Sequence, residues 1–260
     1  MPAPKNLLIL GGTEEARRLA QAAGDRFGGA LAITTSLAGR THSAVPVAGA
    51  VRRGGFGGAA GLAAYLRAAR TDLVIDATHP FAARISAAAI SACRDLGLPL
   101  LAVTRAEWPR EPGDRWIEVG SAAEAAALLP HQGQRVFLTI GRRDLAAFAS
   151  VTGARFVVRL IDPPATALPF PCAVILGRGP FTFADERSII ERHAIDLLVT
   201  KASGGAATVA KLAAARAAGI PVVMLRRPNG SGGGACVGCI EDAVIWLEEW
   251  LATSSCANPL

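Results

Sequence analysis

The chain is poor in several things, and each shortage excludes a class of protein. Aromatic side chains make up 5% of the 260 residues, with a single Tyr. That leaves little material for the base-stacking platforms of single-strand nucleic-acid binders. Zinc-finger spacing, an RNP-type aromatic run and a basic heptad helix are all missing. No uncharged apolar stretch nears the ~18 residues of a membrane span; runs such as 7–10 and 195–199, the latter interrupted by Asp196, are strand-sized. The opening residues 1–6 are too short and too weakly basic for a secretory leader, so none is expected. The five cysteines, Cys93, Cys172, Cys236, Cys239 and Cys256, are odd in number and scattered. This argues against a disulfide framework and for a reducing, cytoplasmic setting. Cys236 and Cys239 form a lone C-x-x-C after a glycine run, with no second pair and no neighbouring His pair. Two reduced surface thiols and no bound metal are the expectation there.

What is present points to a folded α/β protein. Hydrophobic residues reach 51% and charged residues 18%, a composition that excludes disorder. The formal net charge is +6, which favours an anionic partner. With so few aromatics, a small polyanion is favoured over nucleic acid. Short apolar runs (6–10, 30–35, 72–76, 98–103, 135–140, 156–160, 172–176, 195–200, 220–225) alternate with Ala-rich helical stretches. The runs are continuous rather than alternating, as in parallel strands covered on both faces. The two halves also echo one another. Asp72-Leu-Val-Ile-Asp-Ala-Thr resembles Asp196-Leu-Leu-Val-Thr-Lys-Ala-Ser, and each is followed by a helix and a Gly-apolar-Pro turn, at Gly97 and Gly219. Leu7-Leu-Ile-Leu-Gly resembles Phe137-Leu-Thr-Ile-Gly. Two Rossmann-like domains with parallel sheets follow, 1–125 for nucleotide and 126–260 for substrate, with a ligand cleft between them.

Five motifs could carry chemistry. Leu10-Gly11-Gly12-Thr13-Glu14 takes a strand through glycines into a helix, so that helix-start amides can face a phosphate. Its spacing is neither G-x-G-x-x-G nor a Walker A loop. About 20 residues on, where an NAD-type domain carries an acid, stands Ser36-Leu-Ala-Gly-Arg40-Thr41. Hydroxyls and a guanidinium suit a 2′-phosphate, so a dinucleotide bound here would be NADPH. Arg52-Arg53-Gly54-Gly55-Phe56-Gly57-Gly58 permits close backbone approach or forms a plain loop. Asp76-Ala77-Thr78-His79-Pro80 ends a strand, with Pro80 able to open the next helix and Thr78 and His79 at the carboxyl edge of the sheet. In the second half, Gly141-Arg142-Arg143, Gly177-Arg178-Gly179 and Lys201-Ala202-Ser203-Gly204-Gly205 each follow a strand and bring cations to one edge.

The ordered set Leu10–Arg17, Ser36–Thr41, Gly54–Gly58, Asp76–Ala82, Thr200–Gly205 and Arg226–Pro228 resembles the precorrin-6A reductase family of cobalamin biosynthesis. The likeness runs from about Asn6 to Pro228; beyond Gly230 it is poor. The resemblance implies a cytoplasmic NADPH-dependent oxidoreductase that reduces one double bond of a corrin-precursor macrocycle rich in carboxylates, giving precorrin-6B. Carried onto this sequence, Gly11, Gly12 and Thr13 take pyrophosphate, and Ser36, Arg40 and Thr41 the 2′-phosphate. Asp76, Thr78 and His79 line the nicotinamide, Thr78 and His79 being the catalytic candidates. Arg142, Arg178, Lys201, Ser203, Gly204 and Gly205 hold substrate carboxylates. Alternatives are a cobalt-bearing form of the substrate, another polyanionic substrate for the same reductase, or a non-catalytic nucleotide-binding module. A monomer is compatible with all of them.

Overall fold

Leu7 and Ile9 turn to one face of the first strand and Leu8 and Leu10 to the other, and all four are buried. A strand with apolar side chains on both faces needs a layer of helix on each. The computed structural model describes residues 3–38, 46–132, 134–228 and 234–256. In chain order its elements are β1 (Lys5–Leu10), α1 (Glu14–Phe27), β2 (Leu31–Leu37), β3 (Ala50–Arg53), α2 (Ala59–Ala68), β4 (Leu73–Asp76), α3 (Ala83–Leu96) and β5 (Leu100–Val103). They continue with β6 (Trp116–Val119), α4 (Ala122–Gln132), β7 (Arg135–Leu138), α5 (Arg142–Leu145), β8 (Arg155–Leu160), β9 (Cys172–Leu176), α6 (Phe183–Arg192) and β10 (Leu197–Lys201). The last are α7 (Ala210–Ala217), β11 (Val222–Leu225), β12 (Ala235–Val237) and α8 (Ile240–Cys256).

The strands form two six-stranded sheets, ordered β12-β5-β4-β1-β2-β3 and β6-β11-β10-β7-β8-β9. Every adjacent pair is parallel. Each sheet is doubly wound, with its order reversing beside the strand that opens the repeat: between β1 and β4 in one, between β7 and β10 in the other. Such reversals place ligands at the carboxyl ends of the strands. The expected class, two Rossmann-like α/β domains, is what the structure has. In the first unit, Leu7, Ile9 and Ile75 pack with α1 and α8, while Leu8, Leu10 and Val74 pack with α2 and α3. In the second, Phe137, Val157 and Leu198 pack with α6 and α7.

The internal echo is structural. Asp72 and Asp196 both stand just ahead of equivalent strands, β4 and β10, each third in the order of its sheet. Asp72 accepts from Asn6 N at 2.7 Å, and Asp196 accepts from Gln134 N and Arg135 N at 3.0 Å each. The same residue thus sets the register of the same two strands in both units.

The sixth place in each sheet departs from expectation. The units are Met1–Arg105 with Asn229–Leu260, and Ala106–Pro228, instead of 1–125 and 126–260. After β5 the chain passes on to β6, which pairs with β11 of the second sheet. After β11 it returns as β12, which pairs with β5 of the first. Each βα piece therefore completes the sheet other than the one whose last repeat strand, β5 or β11, it follows in the chain. Local sequence does not distinguish the two partners, because the choice rests on contacts more than a hundred residues away. β3, β6 and β12 were not anticipated from sequence; they are three or four residues long and sit at sheet edges. Pro80 does not open α3, which begins at Ala83 after a turn closed by Ala82 N donating to His79 O. Cys236 does lie in a strand, and Cys239 directly precedes α8, so the C-x-x-C bridges a strand and a helix start.

Candidate functional site

In the first unit the carboxyl edge is built around Thr13. Its hydroxyl accepts from Ala16 N at 3.1 Å, capping α1, and donates to Ala77 O at 2.7 Å. One side chain thereby joins the β1–α1 turn to the end of β4, across the reversal point. Gly11 N donates to Ser36 O at 2.9 Å, tying the same turn to β2. A Cβ on Gly11 would stand 2.9 Å from Thr35 Cγ2, so this turn packs tightly against the sheet. Gly12 is different: its φ is +106° and a Cβ there meets nothing within 4 Å. Its backbone faces open space at a helix N-terminus, where anions bind. Two acids in the first turn of α1 would oppose an anion, but both are paired. Glu15 meets Arg105 at 2.5 Å, and the Arg17 guanidinium beside Glu14 holds its carboxyl below the usual range.

Asp76, Thr78 and His79 form a local network. Asp76 Oδ1 accepts from Thr78 N at 3.0 Å and from Thr78 Oγ1 at 2.6 Å. Thr78 Oγ1 lies 3.5 Å from Ser86 Oγ. His79 Nδ1 accepts from Phe81 N at 3.2 Å, which puts the neutral ring's proton on Nε2. Ser36 is buried, and Arg52 Nη1 lies 3.4 Å from its hydroxyl. Arg52 also donates to Gly54 O and Gly55 O at 2.6 and 2.8 Å and lies 3.8 Å from the Phe56 ring centre. The glycine run is thus wrapped around a guanidinium. Arg40 and Thr41 lie outside the described residues. The structure brings Gly11, Gly12, Thr13, Ser36, Asp76, Thr78 and His79 to one sheet edge.

The second unit gathers the other group at its own carboxyl edge. Lys201 Nζ meets Asp144 Oδ2 at 2.5 Å, a partner that sequence reasoning missed. Arg142 donates to Asp162 O and Pro163 O at 2.6 and 2.7 Å, bracing the loop after β8. Arg178 follows β9 and is exposed. Ser203 N donates to Lys201 O at 2.7 Å, a tight turn. Gly204 has φ +65°, and a Cβ there would lie 2.2 Å from Ala106 O. Only glycine fits. Gly205 O accepts from Trp108 Nε1 at 2.8 Å, and Arg227 Nε donates to Ala202 O at 2.7 Å. Trp108, Asp144, Arg159 and Arg227 were not singled out from sequence. For Arg227 the Arg-Arg-Pro run after a strand was the available signal; the other three carry none.

Two doubly wound sheets, each carrying glycines and polar side chains at its carboxyl edge, define a protein of the two-domain Rossmann-like α/β class. The comparisons specify it. The family model for precorrin-6x reductase CbiJ/CobK matches residues 6–248, and the chain belongs to that family. It is an oxidoreductase of the corrin-precursor ring. The chain is 48% identical to precorrin-6A reductase of Rhodococcus erythropolis over 93% of this chain and 96% of that one. It is 42% identical to the Rhodobacter capsulatus enzyme of the same name over 95% and 97%. A solved structure, CobK precorrin-6A reductase, matches with a TM-score of 0.87 and 41% identity, covering 94% of this chain and 96% of that one. Among the described residues, no helix is long and apolar enough to cross a membrane.

Proposed function

We propose that this chain reduces one double bond of precorrin-6A with NADPH, giving precorrin-6B. Near full-length similarity to proteins bearing that name carries the reading. The metal-free ring is favoured because the relatives named cobalt-precorrin-6A reductase, such as those of Salmonella typhimurium and Methanothermobacter thermautotrophicus, are 28% and 30% identical, well below those named precorrin-6A reductase.

The residues of the first unit fit a dinucleotide: an open Gly12 backbone, a capped helix start with its acids neutralised, and a reversal point beside it. Gly11, Gly12 and Thr13 would hold its pyrophosphate, with Ser36, Arg40 and Thr41 on the 2′-phosphate. Arg52, beside Ser36, is a further cation for that group. Asp76, Thr78 and His79 would line the nicotinamide, which supplies the hydride when bound. Asp76 orients the Thr78 hydroxyl, and the Phe81 amide orients the His79 ring. Arg142, Arg178, Lys201, Ser203, Gly204 and Gly205 would receive the carboxylates of the macrocycle. Their work is positioning. The four described-residue thiols Cys93, Cys172, Cys236 and Cys239 are free, which supports a cytoplasmic setting.

The test is anaerobic turnover with precorrin-6A or its cobalt form and with NADPH or NADH, following nicotinamide absorbance and macrocycle mass. A gain of two hydrogens by the metal-free ring with NADPH preferred is expected. Reduction of the cobalt form alone, or indifference to the 2′-phosphate, would overturn the corresponding part. Loss of NADPH preference in Arg40→Ala supports the phosphate assignment. Full turnover in His79→Ala removes His79 from the reacting edge.

A further inference from the structure

Three ionisable side chains lie buried beneath the cationic edge of the second unit. Arg159, next to last in β8, is 8% exposed; Glu186, in the first turn of α6, 1%; Lys211, in the first turn of α7, 4%. Arg159 Nη2 donates to Glu186 Oε1 at 2.9 Å. Arg159 Nη1 and Glu186 Oε2 are buried with no hydrogen-bond partner among the described residues. Lys211 Nζ donates to Thr208 O at 2.8 Å.

Such an arrangement is a poor way to gain stability. Buried ion pairs recover little beyond their desolvation, and well-packed apolar replacements are often as stable or more so. Each unpaired buried polar atom adds a further cost.

What the cluster does touch is both loops of the proposed carboxylate site. The Arg159 guanidinium lies 3.9 Å from the ring centre of Phe181 and 5.1 Å from that of Phe137. Phe181 closes the loop that carries Arg178, and its ring would lie 3.2 Å from a Cβ on Gly177. Its amide reaches across to Ala207 O at 3.3 Å. On the other side, Lys211 Nζ lies 4.9 Å from the ring centre of Trp108, whose indole N–H holds Gly205 O at 2.8 Å. Phe181 and Trp108 are therefore two arms from one charged hub, one to the β9–α6 loop and one to the β10–α7 loop.

We propose that Arg159, Glu186 and Lys211 are positioning residues that hold these two loops in the arrangement that receives the substrate's carboxylates. The inference rests on the reading of the second unit as the macrocycle-binding one.

It has a pH signature. Burial and the neighbouring Arg159 push Lys211 down to about 7, against the opposing pull of Glu186. The charged groups facing it are Arg159 from β8 and Glu186 from α6. With those two balanced, the hub is cationic when Lys211 is protonated and neutral when it is not. Carboxylates bound above favour the cationic hub. The macrocycle's KM therefore rises as pH climbs through about 7, while kcat and the cofactor's KM do not follow it.

The experiment is steady-state kinetics of wild type, Lys211→Met and the paired Arg159→Met/Glu186→Leu, between about pH 6 and about pH 9. Thermal unfolding establishes that each variant is folded. Expected are loss of the pH step in macrocycle KM for Lys211→Met, and a roughly tenfold higher macrocycle KM for the paired variant with cofactor KM within about twofold. Unchanged macrocycle KM in the folded variants, with the step intact, overturns the proposal and leaves the functional reading standing. Failure of wild type to reduce precorrin-6A overturns both. A second readout needs no turnover: Trp fluorescence of wild type should change through about pH 7, and that change should vanish in folded Trp108→Phe. A flat emission overturns the role of Lys211.

Discussion

Thr13 shows how much one hydroxyl can decide. It caps α1 and bridges to Ala77 O at the end of β4, so the helix start and the strand end move together. Thr13→Ala should cost about 1–2 kcal/mol in denaturant unfolding and raise the cofactor's KM, with Thr13→Ser restoring most of both. Lys211 makes the opposite contribution. Its folded value, about 7, lies below the ordinary lysine value of 10.5. Between the two the unfolded chain binds the extra proton, so native stability rises with pH across that window. The burden is full below about 7. Lys211→Met should therefore raise the unfolding midpoint, most at pH 7 and below, with the gain shrinking toward pH 10. A gain independent of pH would mean that the lysine is not held in its buried, depressed state. Gly12 and Gly204 mark the other residue-scale constraint, one leaving backbone open to a ligand, the other letting backbone pass against Ala106 O.

At the scale of elements, the exchange of β6–α4 and β12–α8 is the main structural fact. Ile240, Ala243 and Leu247 of α8 are buried in the core under α1, and β12 covers β5. The segment 106–228 contains all six strands of its own sheet. Expressed alone, it should fold and melt cooperatively by circular dichroism. A fragment ending at 105 lacks β12 and α8 and leaves the apolar face of α1, Leu19 and Ala23 included, uncovered. It should aggregate or stay unfolded, and supplying 229–260 in trans should rescue it. Independent folding of 1–105 would show that the returning piece is dispensable.

For the whole molecule, the excess of +6 charge and the cationic edge of the second unit predict an ionic-strength effect. Raising salt from about 0.15 M to about 1 M shortens the screening length from ~8 to ~3 Å. The macrocycle's KM should rise severalfold while kcat stays constant. A KM insensitive to salt would assign its recognition to apolar contacts with the ring instead of its carboxylates. The repeat also acts at this scale. Asp72 and Asp196 do the same job in two units whose loops have diverged, one edge rich in glycine and hydroxyls, the other carrying Arg142, Arg178 and Lys201.

Sequence alone determined most of the elements, the short edge strands β3, β6 and β12 excepted, and much of the edge. Continuous apolar runs such as 7–10 and 197–199 must be covered on both faces, whatever the remainder of the chain does. Glycines, hydroxyls and cations after such runs fall at carboxyl ends by the direction of the chain. This is why Gly11–Thr13, Asp76–His79 and Lys201–Gly205 were legible. Tertiary structure decided the rest. Which sheet β6 and β12 join, the pairing of Lys201 with Asp144, and the burial of Arg159, Glu186 and Lys211 depend on partners remote in sequence. A four-residue strand has too few local preferences to choose its neighbour. A charged residue looks the same in sequence whether water or an aromatic ring lies beside it; only the packing of β8, α6 and α7 decides which.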